Sequence, residues 1–190
     1  MRIIAGAWRG RKLVAPEGEG TRPTADRVRQ ALFDRLLHAA WAGREAVEDA
    51  HVLDAFAGTG ALGLEALSRG AARAVFIEKE PAALKARRLN VAAAEGRGRV
   101  LAGDALRPPP GQPCSLVFLD PPYGSGLIGP AVAALSRAGW IASDALIVAE
   151  LGHEETPPAE ALEADWTHGT ARMVAWRAPE MRAGGLPAAE

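Results

Sequence analysis

Asp120-Pro121-Pro122-Tyr123 places a carboxylate, two prolines and an aromatic ring directly after the apolar run Leu116-Val117-Phe118-Leu119. That run reads as a buried parallel strand. The tetrapeptide therefore sits at a strand's carboxyl end, the edge of open α/β sheets where ligands bind. Asp120 can accept hydrogen bonds from an amino group. Pro122 restrains Pro121 to an extended conformation, which aims the Pro121 carbonyl outward. Tyr123 offers a ring face to a planar base. Together they make a receptor for an exocyclic amino group on a flat ring. A strand that ends in a proline-rich turn is the plainer alternative.

A second constellation lies upstream in Val52-Leu53-Asp54-Ala55-Phe56-Ala57-Gly58-Thr59-Gly60-Ala61-Leu62-Gly63. A short apolar strand runs into a glycine turn and then a helix. Gly58 and Gly60 permit a tight turn and close approach to a ligand, and Gly63 can let the helix pack near the sheet. The string also fits G-x-G-x-x-G, with Glu78 twenty positions after Gly58, which taken literally is a dinucleotide fingerprint. Asp54 opposes that reading, because a carboxylate at the strand end would repel a pyrophosphate. It suits a cationic ligand such as S-adenosylmethionine, and Glu78, after Ala74-Val75-Phe76-Ile77, suits a ribose diol. Asp54 alone is equally explained as an acid that caps the helix or braces the loop. Asp104, after Arg99-Val100-Leu101-Ala102, can accept from an adenine amino group; its plainer role is an N-cap. The expected cofactor site is therefore Asp54, Ala55, Phe56, Gly58, Thr59, Gly60, Glu78, Lys79, Asp104, Ala105 and Asp120.

Alternating strands and helices must position these groups. Strands are expected at 51–56, 73–78, 98–103, 115–120 and 145–150, with helices at 61–69, 81–94 and 127–138. That alternation argues a parallel, doubly wound sheet. Two further strands are expected near 162–168 and 171–177. Ahead of them, Arg2-Ile3-Ile4-Ala5 and Lys12-Leu13-Val14 read as a hairpin with a basic tip. Thr24 can cap a helix from Ala25 to about Trp41, striped by Val28, Leu32 and Leu36.

Composition bounds the rest. At 190 residues the chain is one domain with an appendage. The single Cys114 excludes a disulfide framework and a cysteine-based metal site, which fits a reducing cytoplasm. No signal peptide is expected at the N-terminus, and no run approaches a membrane span. His38, His51, His153 and His168 form no metal-spaced cluster. Residues 1–44 carry nine basic and four acidic side chains, a net +5 against −6 for the remainder. A basic module joined to an acidic body suggests a polyanion-binding appendage. Arg9, Arg11, Lys12, Arg22, Arg27 and Arg29 are its candidate polyanion contacts; a solvated helix face is the bland alternative. The expected division is 1–44 for this extension, 45–178 for the catalytic body and 179–190 for a frayed tail.

In their order, Asp54, the glycine loop, Glu78, Asp104 and Asp120-Pro121-Pro122-Tyr123 resemble the motifs of class I S-adenosylmethionine-dependent methyltransferases. Gly6-Ala7-Trp8-Arg9-Gly10-Arg11-Lys12-Leu13 and Arg22-Pro23-Thr24-Ala25-Asp26-Arg27-Val28-Arg29 narrow this to the bacterial RsmD-type family. The resemblance implies a seven-stranded, mostly parallel α/β sheet with its last strand antiparallel. It implies methyl transfer to the exocyclic N2 of a guanine in 16S rRNA, with Asp120, Pro121, Pro122 and Tyr123 as catalytic residues. S-adenosylmethionine is the implied cofactor and the small ribosomal subunit or its rRNA the partner; no metal and no membrane are expected, and a monomer is the default. A DNA adenine-N6 or protein-amide methyltransferase would share the Asp-Pro-Pro-Tyr site. A non-catalytic RNA-binding or assembly protein is a further alternative, opposed by the intact Asp120 and Tyr123. A nicotinamide oxidoreductase is opposed by Asp54.

Overall fold

An apolar run such as Leu116–Leu119, buried on both sides, is stable only where helices cover both faces of its sheet. The computed structural model describes residues 1–15, 23–92, 94–122, 124–152 and 154–179. Its elements are α1 (Pro23–His38), a 3₁₀ turn (Arg44–Ala46), β1 (His51–Asp54), α2 (Ala61–Ser68), β2 (Arg73–Glu78), α3 (Pro81–Ala92), β3 (Gly98–Ala102), β4 (Cys114–Leu119), α4 (Ile128–Arg137), β5 (Ile141–Leu151), β6 (Ala164–His168) and β7 (Ala171–Arg177). The strands form one seven-stranded sheet in the order β3-β2-β1-β4-β5-β7-β6. β1 to β5 pair in parallel, and β7 enters antiparallel between β5 and β6. No described helix is long and apolar enough to cross a membrane.

The two faces carry separate cores. On one, Phe76, Leu116, Phe118 and Val148 pack with residues of α1, α2 and Val91 of α3. On the other, Leu53, Ile77, Val117 and Ile147 pack with Ile128, Ala131 and Leu135 of α4 and with Trp140. The Pro108-Pro109-Pro110 linker is pinned there, because Trp140 Nε1 donates to the Pro109 carbonyl at 2.7 Å. Cys114 opens the central strand β4 and is buried. Burial pushes its thiol up to about 11, partly offset by Arg73.

Several elements depart from expectation. α1 begins at Pro23, so Thr24 falls inside the first turn, and it stops at His38; Trp41 instead packs on Trp166, with ring centroids 6.2 Å apart. β5 starts at Ile141, earlier than its apolar run suggested, and takes Asp144 through a positive φ of 57°. The amino-terminal hairpin reduces to a single bridge, Arg2 to Lys12, with Ile3 N–H donating to Arg11 O at 2.9 Å.

The amino-terminal extension packs into the core of the body. Ile3, Trp8 and Leu13 belong to the same core as α1, α2 and the sheet. Ile4 and Ala5 N–H groups donate to the Glu65 carboxylate at 2.8 and 3.0 Å. Trp8 N–H donates to Ser68 Oγ at 2.9 Å, and Ser68 Oγ–H donates to Ala5 O at 2.6 Å. Residues 1–15 are therefore an arm folded onto α2. Arg29 corrects an expectation. It is buried, paired with Asp26 at 2.9 Å and Glu65 at 3.6 Å, and donates to Arg2 O. An arginine so placed holds α1 to the arm and does not reach a phosphate.

Candidate active site

Parallel neighbours in a sheet end on the same edge, and the order β3-β2-β1-β4 lines up four of the expected acids there. Asp54 ends β1, Glu78 ends β2, Asp104 follows β3 by two residues and Asp120 directly follows β4. Chain order reverses between β1 and β4. In doubly wound sheets the crevice at that reversal receives the ligand. Asp54 and Asp120 flank it.

The loop after β1 is shaped from inside. Gly58 and Gly60 adopt φ of +48° and +82°, which side-chain-bearing residues rarely take up. A Cβ on Gly58 would meet nothing within 4 Å, so this turn faces open space. Gly63 lies against the ring of Phe76, where a Cβ would come within 2.5 Å. α2 can approach the sheet so closely only through a glycine.

Asp54 is buried, and its Oδ2 accepts the Gly63 N–H at 3.0 Å. It braces the loop against α2 and lends the crevice negative charge. Burial pushes its pKa up to about 6, opposed by the Gly63 N–H and the Arg87 charge and reinforced by Glu78. Glu78 is tied down similarly: its Oε2 accepts Gly58 N–H at 2.8 Å, and its Oε1 accepts the N–H groups of Lys79 and Glu80 at 2.8 and 2.9 Å. Each oxygen of a carboxylate has two lone pairs, so Glu78 can fix the loop and still accept a ribose hydroxyl.

Ala55 and Thr59 are buried, Phe56 half-buried, and the Lys79 side chain exposed. Asp104 Oδ1 accepts Leu106 N–H at 3.0 Å, a turn brace beside the buried Ala105. Arg107 reaches Asp104 only at 3.9 Å and is exposed.

Asp120 is the acid left open to the cleft. Solvent reaches it, yet protein encloses it on most sides. That enclosure first, then the charges of Glu150 and Asp54, pushes its pKa up to about 7. Pro121 is buried and Pro122 exposed. Tyr123 and Arg22 lie outside the described residues. Arg9, Arg11, Lys12 and Arg27 are exposed. Arg11 stacks on Trp8, which Arg97 covers from another side, at 5.1 and 4.8 Å to the ring centroid.

Sequence reasoning missed four residues. Glu65 is fully buried with Arg69 and Arg29 at 2.8 and 3.6 Å. An acid inside the apolar string Ala61-Leu62-Gly63-Leu64-Glu65-Ala66-Leu67 was the available signal. Glu150 faces Asp120 from β5, two strands of one sheet edge, and nothing local marks it. Asn90 accepts and donates between Val14 and Thr59. Arg87 is fully buried, and none of its guanidinium nitrogens has a hydrogen-bond partner among the described residues. Its stem lies beneath the loop, 3.2 Å from where a Gly60 Cβ would stand. Burial pulls its pKa down, countered by Glu78 and Asp54.

An acid-rich crevice beneath an open glycine turn fits a cationic ligand. Among the described residues, no cluster of three or more His, Cys, Asp or Glu could hold a metal. The sequence matches the family described as "Conserved hypothetical protein 95" over residues 1–172. The chain belongs to this family. The Escherichia coli (strain K12) protein "Ribosomal RNA small subunit methyltransferase D" is 41% identical over 191 residues, covering 97% of this chain and 92% of that one. The Haemophilus influenzae protein of the same name is 38% identical over 157 residues, covering 79% and 78%. Among solved structures, "Putative methyltransferase yhhF from Escherichia coli" superposes with a TM-score of 0.80 at 39% identity, covering 95% of this chain and 99% of that one. The family member described here is thus a methyltransferase with a class I fold and an S-adenosylmethionine site.

Proposed function

We propose that the protein transfers a methyl group from S-adenosylmethionine to the exocyclic N2 of a guanine in 16S rRNA. The observation that carries this reading is Asp120, solvent-reachable at the β1/β4 reversal and followed by Pro121-Pro122. The names of the Escherichia coli and Haemophilus influenzae relatives supply the RNA.

A guanine amino group is a poor nucleophile because its lone pair is delocalised into the ring. S-adenosylmethionine supplies the electrophilic methyl group. Asp120 and the Pro121 carbonyl accept the two amino hydrogens, which favours a pyramidal nitrogen. As the N–C bond forms and the C–S bond breaks, the nitrogen becomes positive. A preorganised carboxylate in a crevice that excludes water stabilises that charge. Asp120, with its acidity near neutrality, then takes the surplus proton and returns it to solvent. Tyr123 stacks on the base once it has left the helix. Glu78 holds the ribose of the cofactor and Asp104 its adenine amino group. Holding nitrogen and methyl carbon in line supplies much of the acceleration. Arg9, Arg11, Lys12, Arg22 and Arg27 track phosphates.

The test is transfer of labelled methyl to naked 16S rRNA, to assembled small subunits and to DNA, followed by nucleoside analysis. The expected product is N2-methylguanosine from rRNA or subunits. Label in DNA adenine or in protein would replace this reading with one of its rivals.

A further inference from the structure

The geometry points to Asn90 as a positioning residue that joins the amino-terminal arm to the cofactor loop, so that the arm senses what the loop binds. The inference rests on the proposed function only for the identity of the two ligands.

Asn90 lies in the last turn of α3 and is buried. Its Oδ1 accepts Val14 N–H at 2.8 Å, and its Nδ2 donates to Val14 O at 2.9 Å. The amide thus imitates a neighbouring strand and pairs with one residue of the arm on both its polar groups. The remaining Nδ2 hydrogen goes to Thr59 O at 3.0 Å. Both donor hydrogens are used, one on each partner. No other described side chain bonds both the arm and the glycine loop.

The link closes on itself. Thr59 Oγ1 donates to Met1 Sδ at 3.3 Å, and Leu13 N–H donates to Met1 O at 3.2 Å. Thr59 is therefore held on one side by Met1 of the arm and on the other by Asn90, which itself holds Val14 of the arm. It stands between Gly58 and Gly60, whose positive φ angles make the loop easy to adjust. The same arm carries the exposed Arg9, Arg11 and Lys12. A ligand that fixes Thr59 fixes the arm with it. By reciprocity, an RNA that fixes the arm favours the cofactor-ready loop by the same factor. Ordering alone is sufficient for this; no large displacement is required.

A merely structural Asn90 would satisfy buried polar groups and transmit nothing. Hydrogen exchange on the full-length protein, with and without saturating S-adenosylhomocysteine, separates the two. The reporters are the Ile3, Gly10 and Leu13 amides, each hydrogen-bonded within the arm. In the wild type, cofactor is expected to slow their exchange by about fivefold or more, the lower end of ordinary coupling. In Asn90→Ala that effect falls at least by half, since only the Thr59–Met1 contact still joins loop to arm, while Gly58 and Gly63 remain protected by cofactor. Val14→Pro removes one of the three hydrogen bonds at an exposed position and leaves Asn90 in place; it reduces the effect, and it decides the matter if Asn90→Ala does not fold. Arm exchange indifferent to cofactor in the wild type, or equally slowed in the folded variants, overturns the inference. Neither result touches the substrate. An arm that senses cofactor in a protein that leaves rRNA unmodified overturns the proposed function alone.

Discussion

Asp120 is the residue on which the chemistry turns, and its neighbours set the pH at which it is ready. Asp120→Asn removes the anionic acceptor. It is expected to slow methyl transfer by about 10²-fold or more, while calorimetry finds S-adenosylhomocysteine affinity nearly unchanged. Since the folded-state pKa lies near 7, above the ordinary 3.8, the carboxylate form is disfavoured at low pH. Activity should therefore climb as pH rises through neutrality. Stability runs the opposite way: this group's contribution is fully present below 3.8 and is lost as pH rises through about 7. Glu150 is one of the charges raising it. Glu150→Gln should then move the acidic limb of kcat/KM to lower pH, and an unmoved limb would show that Glu150 has no hold on Asp120. Asp120-Pro121-Pro122 was legible because a strand, a turn and an acid coincide in four residues. Asp54 was less so, since a carboxylate at a strand end can serve a ligand, the helix amide behind it, or both; the Gly63 contact shows the second.

At the level of elements, α2 is the fastening. Its Glu65 takes two arm amides and two arginines, Arg69 and Arg29, with no solvent contact. Glu65→Ala strands Arg69, leaves Arg29 only its Asp26 and Arg2 contacts, and is expected to cost about 3–5 kcal/mol, as breaking a buried pair does; urea unfolding measures it. Gly63→Ala drives a methyl into the Phe76 ring and should cost about 1–3 kcal/mol by overpacking. A variant as stable as the wild type would mean that α2 is free to shift. The strands and helices of the sheet fell close to their expected bounds because apolar runs and glycine turns punctuate them sharply. The arm did not. Its two short segments suggested a hairpin with a basic tip, whereas its order comes from Glu65, Ser68 and Asn90, which lie far off in sequence. Arg29 misled for the same reason: in a basic string nothing local distinguishes an arginine that turns inward.

For the molecule as a whole, the arm's place in the core changes what truncation would do. Removing residues 1–15 strips Ile3, Trp8 and Leu13 from the main cluster. The expected result is a chain without a cooperative thermal transition, not a lighter enzyme that has lost only its RNA. Charge and core are separated better by Arg9→Ala, which alters an exposed side chain. It should leave the melting temperature unchanged and reduce the salt slope of rRNA binding by about one unit; an unchanged slope in a filter-binding titration would remove Arg9 from the interface. Cys114 gives this large-scale behaviour a chemical clock. It is the only thiol in the chain, it opens the middle strand of seven, and both its burial and its reluctance to ionise deny a reagent the thiolate it needs. Alkylation can then proceed only as fast as the centre of the sheet comes apart. The unmodified protein thus records its own rare openings, one irreversible mark per molecule, and a bound cofactor should lengthen the interval between them.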